Sequence, residues 1–237
     1  MKFYYDLHLH SCLSPCGDDD ATPANLAGMC ALAGLDIVAL TDHNTAGNCR
    51  AFQKACEKYG LLALCGMELT TAEEVHVVCL FPDADSAEAF SSHVYDCLPP
   101  FSNDREIFGP QIYMDEADGV LGEEARMLSG ATSIGVYEVC DLVAGFGGVC
   151  FPAHIDRPSY SLISQLGMWD PYIPFPLAEV SSVCPPDFRL RPDLEGVTLI
   201  TDSDSHSLGL VPDALHSMEL PQKDALSVLK WVQNGGS

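Results

Sequence analysis

Near its start the chain runs from Phe3-Tyr4-Tyr5 into Asp6-Leu7-His8-Leu9-His10-Ser11, the stretch that most constrains the fold. Side chains alternate faces along a strand, so a strand here sets His8 and His10 on one face and Leu7 and Leu9 on the other. Two imidazoles on a rigid backbone offer two nitrogens at a fixed separation, a common way to hold a divalent cation. The arrangement is mirrored near the other end, where Thr198-Leu199-Ile200 leads into Asp202-Ser203-Asp204-Ser205-His206 and a strand would set Asp204 and His206 on a shared face. One His-x-His arises readily by chance. Two acid/His clusters, each behind an apolar β-rich run, are a stronger signal.

Between these ends the chain alternates strands and helices. After a first loop, Cys12 to Asp20, Thr22-Pro23 supplies an N-cap and a first helical residue for a helix to about Leu32, stopped by Gly34. Asp18, Asp19 and Asp20 either pair with the positive end of that helix, or one of them, or Cys16, reaches a metal. Asp36-Ile37-Val38-Ala39-Leu40 is a buried strand delivering Thr41-Asp42-His43-Asn44; a helix over roughly Ala46 to Tyr59 follows, and the strand Leu61 to Gly66 delivers Met67-Glu68. This order is the α/β signature, and the C-terminal strand ends are where a barrel carries its chemistry.

Val75 to Phe81 is a strand with His76 at its start, followed by an amphipathic helix over 84–97 that contains His93. A helix from about Ser133 to Ala144 leads to the strand Gly147 to Pro152, which ends in Ala153-His154 and then Ile155-Asp156-Arg157-Pro158. Leu177 to Val180 and Gly196 to Thr201 are further strands, and Pro221 to Gln233 closes the chain as an amphipathic helix. From about 98 to 132, Pro99-Pro100, Asn103-Asp104, Gly109-Pro110 and Asp118-Gly119 are turn signals with no periodic segment between them. This reads as an inserted lid or subdomain within a single domain of residues 1–237.

Eleven Lys and Arg against 34 Asp and Glu give a formal charge of −23, which argues against broad contact with a nucleic-acid backbone and disfavours long nucleic acid as a partner. A small anionic substrate stays compatible, because bound cations invert the local field. No apolar run is long and unbroken enough to span a membrane, and the N-terminus lacks a basic stretch followed by an apolar one. The eleven cysteines are scattered without a Cys-x-x-Cys and read as reduced, mostly buried residues of a cytoplasmic protein.

Of eight histidines, six (His8, His10, His43, His76, His154 and His206) fall at or beside strand ends, joined by Glu68 and Asp204; His93 and His216 read as structural. Imidazole with carboxylate suits hard and borderline cations. Eight ligands oversupply one ion, so two or three divalent metals fit better, with Glu68 bridging.

These residues resemble the PHP (polymerase and histidinol phosphatase) domain of metal-dependent phosphoesterases: Asp6 to Ser11 is similar to its first motif, Thr41 to Asn44 to its second, Gly66-Met67-Glu68 with His76 and His154 to its third, and Asp204-Ser205-His206 to its fourth. The resemblance implies a distorted, TIM-like (β/α)7 barrel with a trinuclear site at the strand ends. Carried over, His8, His10, Glu68 and Asp204 hold one metal, Glu68, His76 and His154 a second, and His43 with His206 a third. The first loop departs from the family, which commonly has Ser-Asp-Gly or a histidine where this chain reads Ser14-Pro15-Cys16-Gly17-Asp18. Asp18 is the choice for the missing ligand because a carboxylate matches the rest, with Cys16 the alternative. Zinc, manganese and iron are all compatible.

The chemistry expected is hydrolysis of a small phosphomonoester, of nucleotide, sugar phosphate or histidinol phosphate type, by metal-activated hydroxide. It would depend on His154 and Asp204, with Arg157 neutralising charge on the transferring group. Hydrolysis of short oligonucleotides and a noncatalytic metal-binding module are the alternatives; the first would need a basic groove, and the second sits poorly with a complete ligand set.

Overall fold

The computed structural model describes all 237 residues. Its main sheet contains β1 (Lys2–Leu9), β2 (Ile37–Leu40), β3 (Leu62–Thr70), β4 (His76–Phe81), β7 (Val149–Pro152) and β10 (Ser217–Glu219), in the order β10-β1-β2-β3-β4-β7. It curls as a half-barrel in an α/β fold. β1, β2 and β3 are mutually parallel, whereas β4 runs antiparallel to both β3 and β7. That reversal brings the start of β4, and with it His76, to the end of the sheet where β1, β2 and β3 finish.

A separate parallel pair, β8 (Ala178–Glu179) and β9 (Leu199–Ile200), completes the framework. The strands thus form a six-stranded sheet and two two-stranded ones, an arrangement compatible with a distorted TIM-like barrel. Closure at the site end rests on isolated links: Ile155 N–H donates to Glu179 O at 2.9 Å, His10 N–H donates to Ser205 O at 2.9 Å, and Leu9 bridges Ser205.

Helices α1 (Pro23–Leu32), α2 (Cys49–Glu57) and α3 (Ala84–Cys97) cover the outer face of the sheet, burying Leu26, Phe52 and Phe90 against Val38, Cys65, Val77 and Phe81. The other face buries Tyr5, Leu7, Ile37, Leu64, Val78 and Phe151 against α7 (Ala225–Gln233), which contributes Val228, Leu229, Trp231 and Val232. Leu7 and Leu9 belong to these two different clusters, contrary to strict alternation, because the pairing of β1 with β2 shifts register between Asp6 and Leu9.

Residues 98–132 contain the short helix α4 (Arg105–Phe108) and the hairpin β5 (Ile112–Met114) and β6 (Val120–Glu123). Asn48 ties the hairpin to the body, donating to Ile112 O at 3.0 Å and accepting from Met114 N at 2.9 Å. Asp118 takes the positive end of α1, accepting from Thr22 Oγ1 at 2.7 Å and Ala24 N at 2.9 Å, so the exposed Asp18, Asp19 and Asp20 do not serve it. The helix expected from Ser133 starts later, as α5 (Val139–Gly145), and α6 (Leu162–Leu166) follows β7. All eleven cysteines are free, and no helix is long and apolar enough to cross a membrane.

Candidate metal centre

β3 sets the centre of the site. It continues to Thr70 because β4 pairs with it along its whole second half, which carries Glu68, fully buried, into the half-barrel. Glu68 is laced to the loop after β2: its N–H donates to Thr41 O at 3.0 Å and its carbonyl accepts from Asn44 N at 2.9 Å. Glu68 Oε1 lies 2.9 Å from His76 Nδ1, 3.1 Å from His154 Nε2 and 3.4 Å from His8 Nε2. Its Oε2 lies 3.0 Å from His43 Nδ1 and 3.4 Å from His10 Nε2. Asp204 Oδ1 faces His10 Nε2 at 3.1 Å and His8 Nε2 at 3.4 Å, and those two nitrogens are 3.1 Å apart.

The donor atoms fall into three groups, each within 4.8 Å: His8, His10, Glu68 and Asp204; His43, Glu68 and His76; and His10, His43 and His206. The first is the set carried over from the resemblance. In the second His43 joins Glu68 and His76, while His154 meets the same Glu68 oxygen from the side, and in the third His10 joins His43 and His206. Asp18 enters no group and is exposed, its backbone N–H bound to His206 O at 2.9 Å; the Cys16 side chain lies close to that of His43.

These residues fit divalent cations. His43 Nδ1, Glu68 Oε2, His154 Nδ1 and Asp204 Oδ1 are buried without a hydrogen-bond partner. His43 Nδ1 and Glu68 Oε2 are 3.0 Å apart yet not aligned to bond each other, so their lone pairs converge on common space. Burial works against protonation of each imidazole. At His10 the hydrogen bonds of Asp204 and Glu68 outweigh it and raise the pKa to about 9, and at His43 the charge of Glu68 does so, also to about 9. At His76 and His206 burial prevails, lowering the values to about 4 and about 3. Glu68 is held well below the carboxylate range despite its burial by His76, His8 and His43.

A second layer fixes the rings. Glu179, fully buried, accepts from His8 Nδ1 at 2.7 Å, which leaves Nε2 facing the centre. Ser14 Oγ accepts from His10 Nδ1 at 2.9 Å and donates to Asp42 at 2.8 Å; Asp42 also accepts from Ser11 N at 2.6 Å and Ser11 Oγ at 2.7 Å. Gly17 turns against the Ser11 carbonyl where no Cβ has room. The backbones of Asn44, His154, Tyr160 and Asp204 are left-handed, with φ of 52°, 30°, 54° and 50°, a strained conformation for residues with side chains. Asn44 is held there by hydrogen bonds to Leu128 O at 2.6 Å and Gly130 O at 3.0 Å. Arg157 Nη1 meets Asp204 Oδ2 at 2.5 Å with its side chain part-exposed, and Tyr160 stacks on His76 at 4.7 Å. The roles of Glu179, Ser14 and Asp42 were not read from the sequence. A buried acid inside the apolar run Leu177-Ala178-Glu179-Val180 was the one available signal.

Endonuclease Q from Pyrococcus furiosus, a lesion-specific endonuclease, matches with a TM-score of 0.66 and 17% identity, over 100% of this chain and 57% of the other. A complex of endonuclease Q with a 27-mer duplex carrying an abasic lesion at its active site matches with a TM-score of 0.62 and 17% identity, over 100% and 58%. This chain thus spans somewhat over half of those proteins. A protein from Bifidobacterium adolescentis assigned as a metal-dependent phosphoesterase matches with a TM-score of 0.60 and 22% identity, over 98% and 96%. No curated protein matches.

The expectation that acidity disfavours long nucleic acid is overturned, since a chain of this fold holds duplex DNA at its active site. Net charge averages over the whole surface, whereas a phosphate meets the local field of the metal end, and in a longer protein other segments can hold the duplex. The sequence model of the PHP domain matches residues 6–133, just over half of the 237 and the span that carries His8, His10, His43, Glu68 and His76, so the chain belongs to the PHP domain family.

Proposed function

We propose that this chain is a metal-dependent phosphoric ester hydrolase, with a small phosphomonoester as substrate. The observation that carries the reading is the set of three adjoining donor groups, two of which share one buried carboxylate, Glu68. His8, His10, Glu68 and Asp204 would hold one cation, Glu68, His76, His43 and His154 a second, and His10, His43 and His206 a third. Bound divalent cations supply Lewis acidity toward phosphoryl oxygens and lower the pKa of water.

The chain's own residues do the rest. Glu179 and Ser14 keep the Nδ1 protons of His8 and His10 on the outer side, so that both rings offer Nε2 inward. Arg157, part-exposed and bonded to Asp204, can turn its guanidinium onto the oxygens of an incoming phosphate. Asp156 steadies the loop that carries it, accepting from Ser181 N at 2.7 Å and Ser181 Oγ at 2.6 Å.

The likeness to endonuclease Q favours a second reading, cleavage of a phosphodiester in DNA. Elemental analysis is to be paired with hydrolysis of ribose 5-phosphate, a nucleoside monophosphate and an abasic duplex, before and after chelation. Two or more metals per chain with chelator-sensitive release of inorganic phosphate is the expected result. Cleavage of the duplex alone would replace the first reading by the second, and bound metal with no hydrolysis would leave a noncatalytic module.

A further inference from the structure

The half-barrel has a seam between β1 and β9, and a cavity of about 290 Å³ opens there, lined by Tyr5 and Asp6 of β1, by residues that follow β7, β8 and β9, and by the segment that leads to β10. Asp204 and Arg157 belong to its wall, so it adjoins the metal centre through the ion pair in which Arg157 meets Asp204 at 2.5 Å. The rest of the lining is rich in groups that form hydrogen bonds: Ser182, Thr201 and Ser203 carry hydroxyls, Asp213 a carboxylate and His216 an imidazole, beside the apolar Leu210, Pro212 and Leu215. Beyond Arg157 it contains no Lys or Arg, whereas Asp6, Asp202 and Asp213 all border it.

From this we infer that the seam cavity is a subsite for a hydroxylated, uncharged organic group, one sugar unit in size, attached to the phosphate that Arg157 and the metal centre hold. The inference rests on the phosphoesterase reading and deepens it. Hydroxyls and a carboxylate match the alternating donors and acceptors of a polyol, which both give and receive hydrogen bonds. A second anionic group would find no Lys or Arg in the lining beyond Arg157. The volume lies at the lower edge of small-ligand pockets, which sets the size at one ring with its substituents. Arg157 stands where the cavity meets Asp204, and Arg189 reaches the wall only through the Thr201 hydroxyl, to which it donates at 3.2 Å, so phosphate and sugar have assigned ends. Such a unit comes either from a free sugar phosphate or from the sugar of a nucleic-acid strand; the chemistry of the subsite is the same for both.

The test compares equilibrium binding of two non-hydrolysable probes to the metal-loaded full chain: the phosphonate isostere of ribose 5-phosphate, and methylphosphonate, which lacks the sugar. The sugar is expected to tighten binding about tenfold or more, the equivalent of two or three net hydrogen bonds. Leu215→Trp and Ser182→Trp, which fill the cavity from its exposed rim, should abolish that advantage, whereas Leu32→Trp on the exposed face of α1 should keep it. Equal binding of the two probes by the native chain would overturn the inference, as would an advantage that survives in both folded, metal-loaded cavity variants. Chelator-sensitive phosphate release without a sugar advantage removes only the subsite; no metal and no phosphonate binding removes the phosphoesterase reading with it. A third probe, an oligonucleotide ending in the same phosphonate, names the source. Tighter binding than the free sugar assigns the subsite to a strand, and equal or weaker binding assigns it to a free sugar phosphate.

Discussion

The two halves of the site are built differently. Residues 1–81 deliver His8, Glu68 and His76 from within β1, β3 and β4, the last two paired over six residues, with His10 and His43 just past the ends of β1 and β2. Residues 149–206 deliver His154, Asp204 and His206 from loops behind two- and four-residue strands. There the side chains are placed by isolated backbone bonds, by side-chain anchors such as Asp156, and by left-handed backbone at His154 and Asp204. Ladder pairing distributes the work over many bonds, so no single one decides a ligand's position. In the second half each bond matters, because strained conformations persist only where the surroundings over-determine them. The family match, over residues 6–133, takes in the site residues of the first half and none of the second.

The largest effect expected is at the junction of the halves. Glu68→Gln removes the charge that all three donor groups share or adjoin, so metal content should fall by at least one ion per chain and hydrolysis by about a thousandfold, several kcal/mol of lost stabilisation of the reacting phosphate. Metal analysis and steady-state kinetics check both. Unchanged metal content would break the view that one carboxylate organises both halves.

Glu179→Gln comes next. It keeps a hydrogen-bond acceptor for His8 Nδ1 but not the charge, and should weaken metal affinity about 10- to 100-fold, with Glu179→Asp recovering part of it, as read by competition with a chromogenic chelator. The thermal stability of the metal-free chain should move far less than the affinity.

Asp42→Ala and Asp156→Ala compare the anchors of the two halves directly. Asp42 accepts from Ser11 N, Ser11 Oγ and Ser14 Oγ, and its loss should cost about 3 kcal/mol or more; Asp156 accepts from Ser181 N and Oγ, and should cost about 1–3 kcal/mol. Urea unfolding gives the stabilities. The sharper contrast is in metal affinity per kcal/mol lost, which should fall more for Asp156→Ala, since the second half has only short ladders, of four pairs or fewer, to retain its geometry.

The smallest effect is titration of Asp193, whose carboxyl is lowered to about 2 by the Arg191 hydrogen bond, with help from Trp169 N. A folded pKa below the unfolded one means the contribution is complete above about pH 4 and is lost as pH falls toward 2. On this part-exposed pair it should stay below about 1 kcal/mol. Asp193→Asn should flatten the acid limb of a stability–pH curve by that amount.

The legibility of the sequence follows the same division. The helix–strand order from Thr22 to Gly66 was readable because Pro23, Gly34 and Gly60 punctuate it and the strands are continuous apolar runs. His76 was readable as a strand-start residue, but its approach to Glu68 depends on β4 running antiparallel, which no local pattern encodes. The turn signals of 98–132 were visible while the hairpin in them was not, since strands as short as β5 and β6 leave little alternation to read. The choice of Asp18 followed chemical likeness to the other ligands; the loop instead turns Asp18 outward and puts Cys16 beside His43. The reading of long nucleic acid from net charge failed because a sum over the surface carries no information about one end of a barrel.

The sequence by itself determined the PHP family, the α/β class and the set of histidines and acids that gather at one end, because residue type, strand alternation and motif order are local properties of the chain. Only the tertiary structure decided which donors group together, that Glu179 and Ser14 fix the ring nitrogens, and that the strands divide into a curled six-stranded half-barrel and separate pairs. Those outcomes depend on strand direction, register shift and single long-range hydrogen bonds, whose energies are set between segments far apart in the chain.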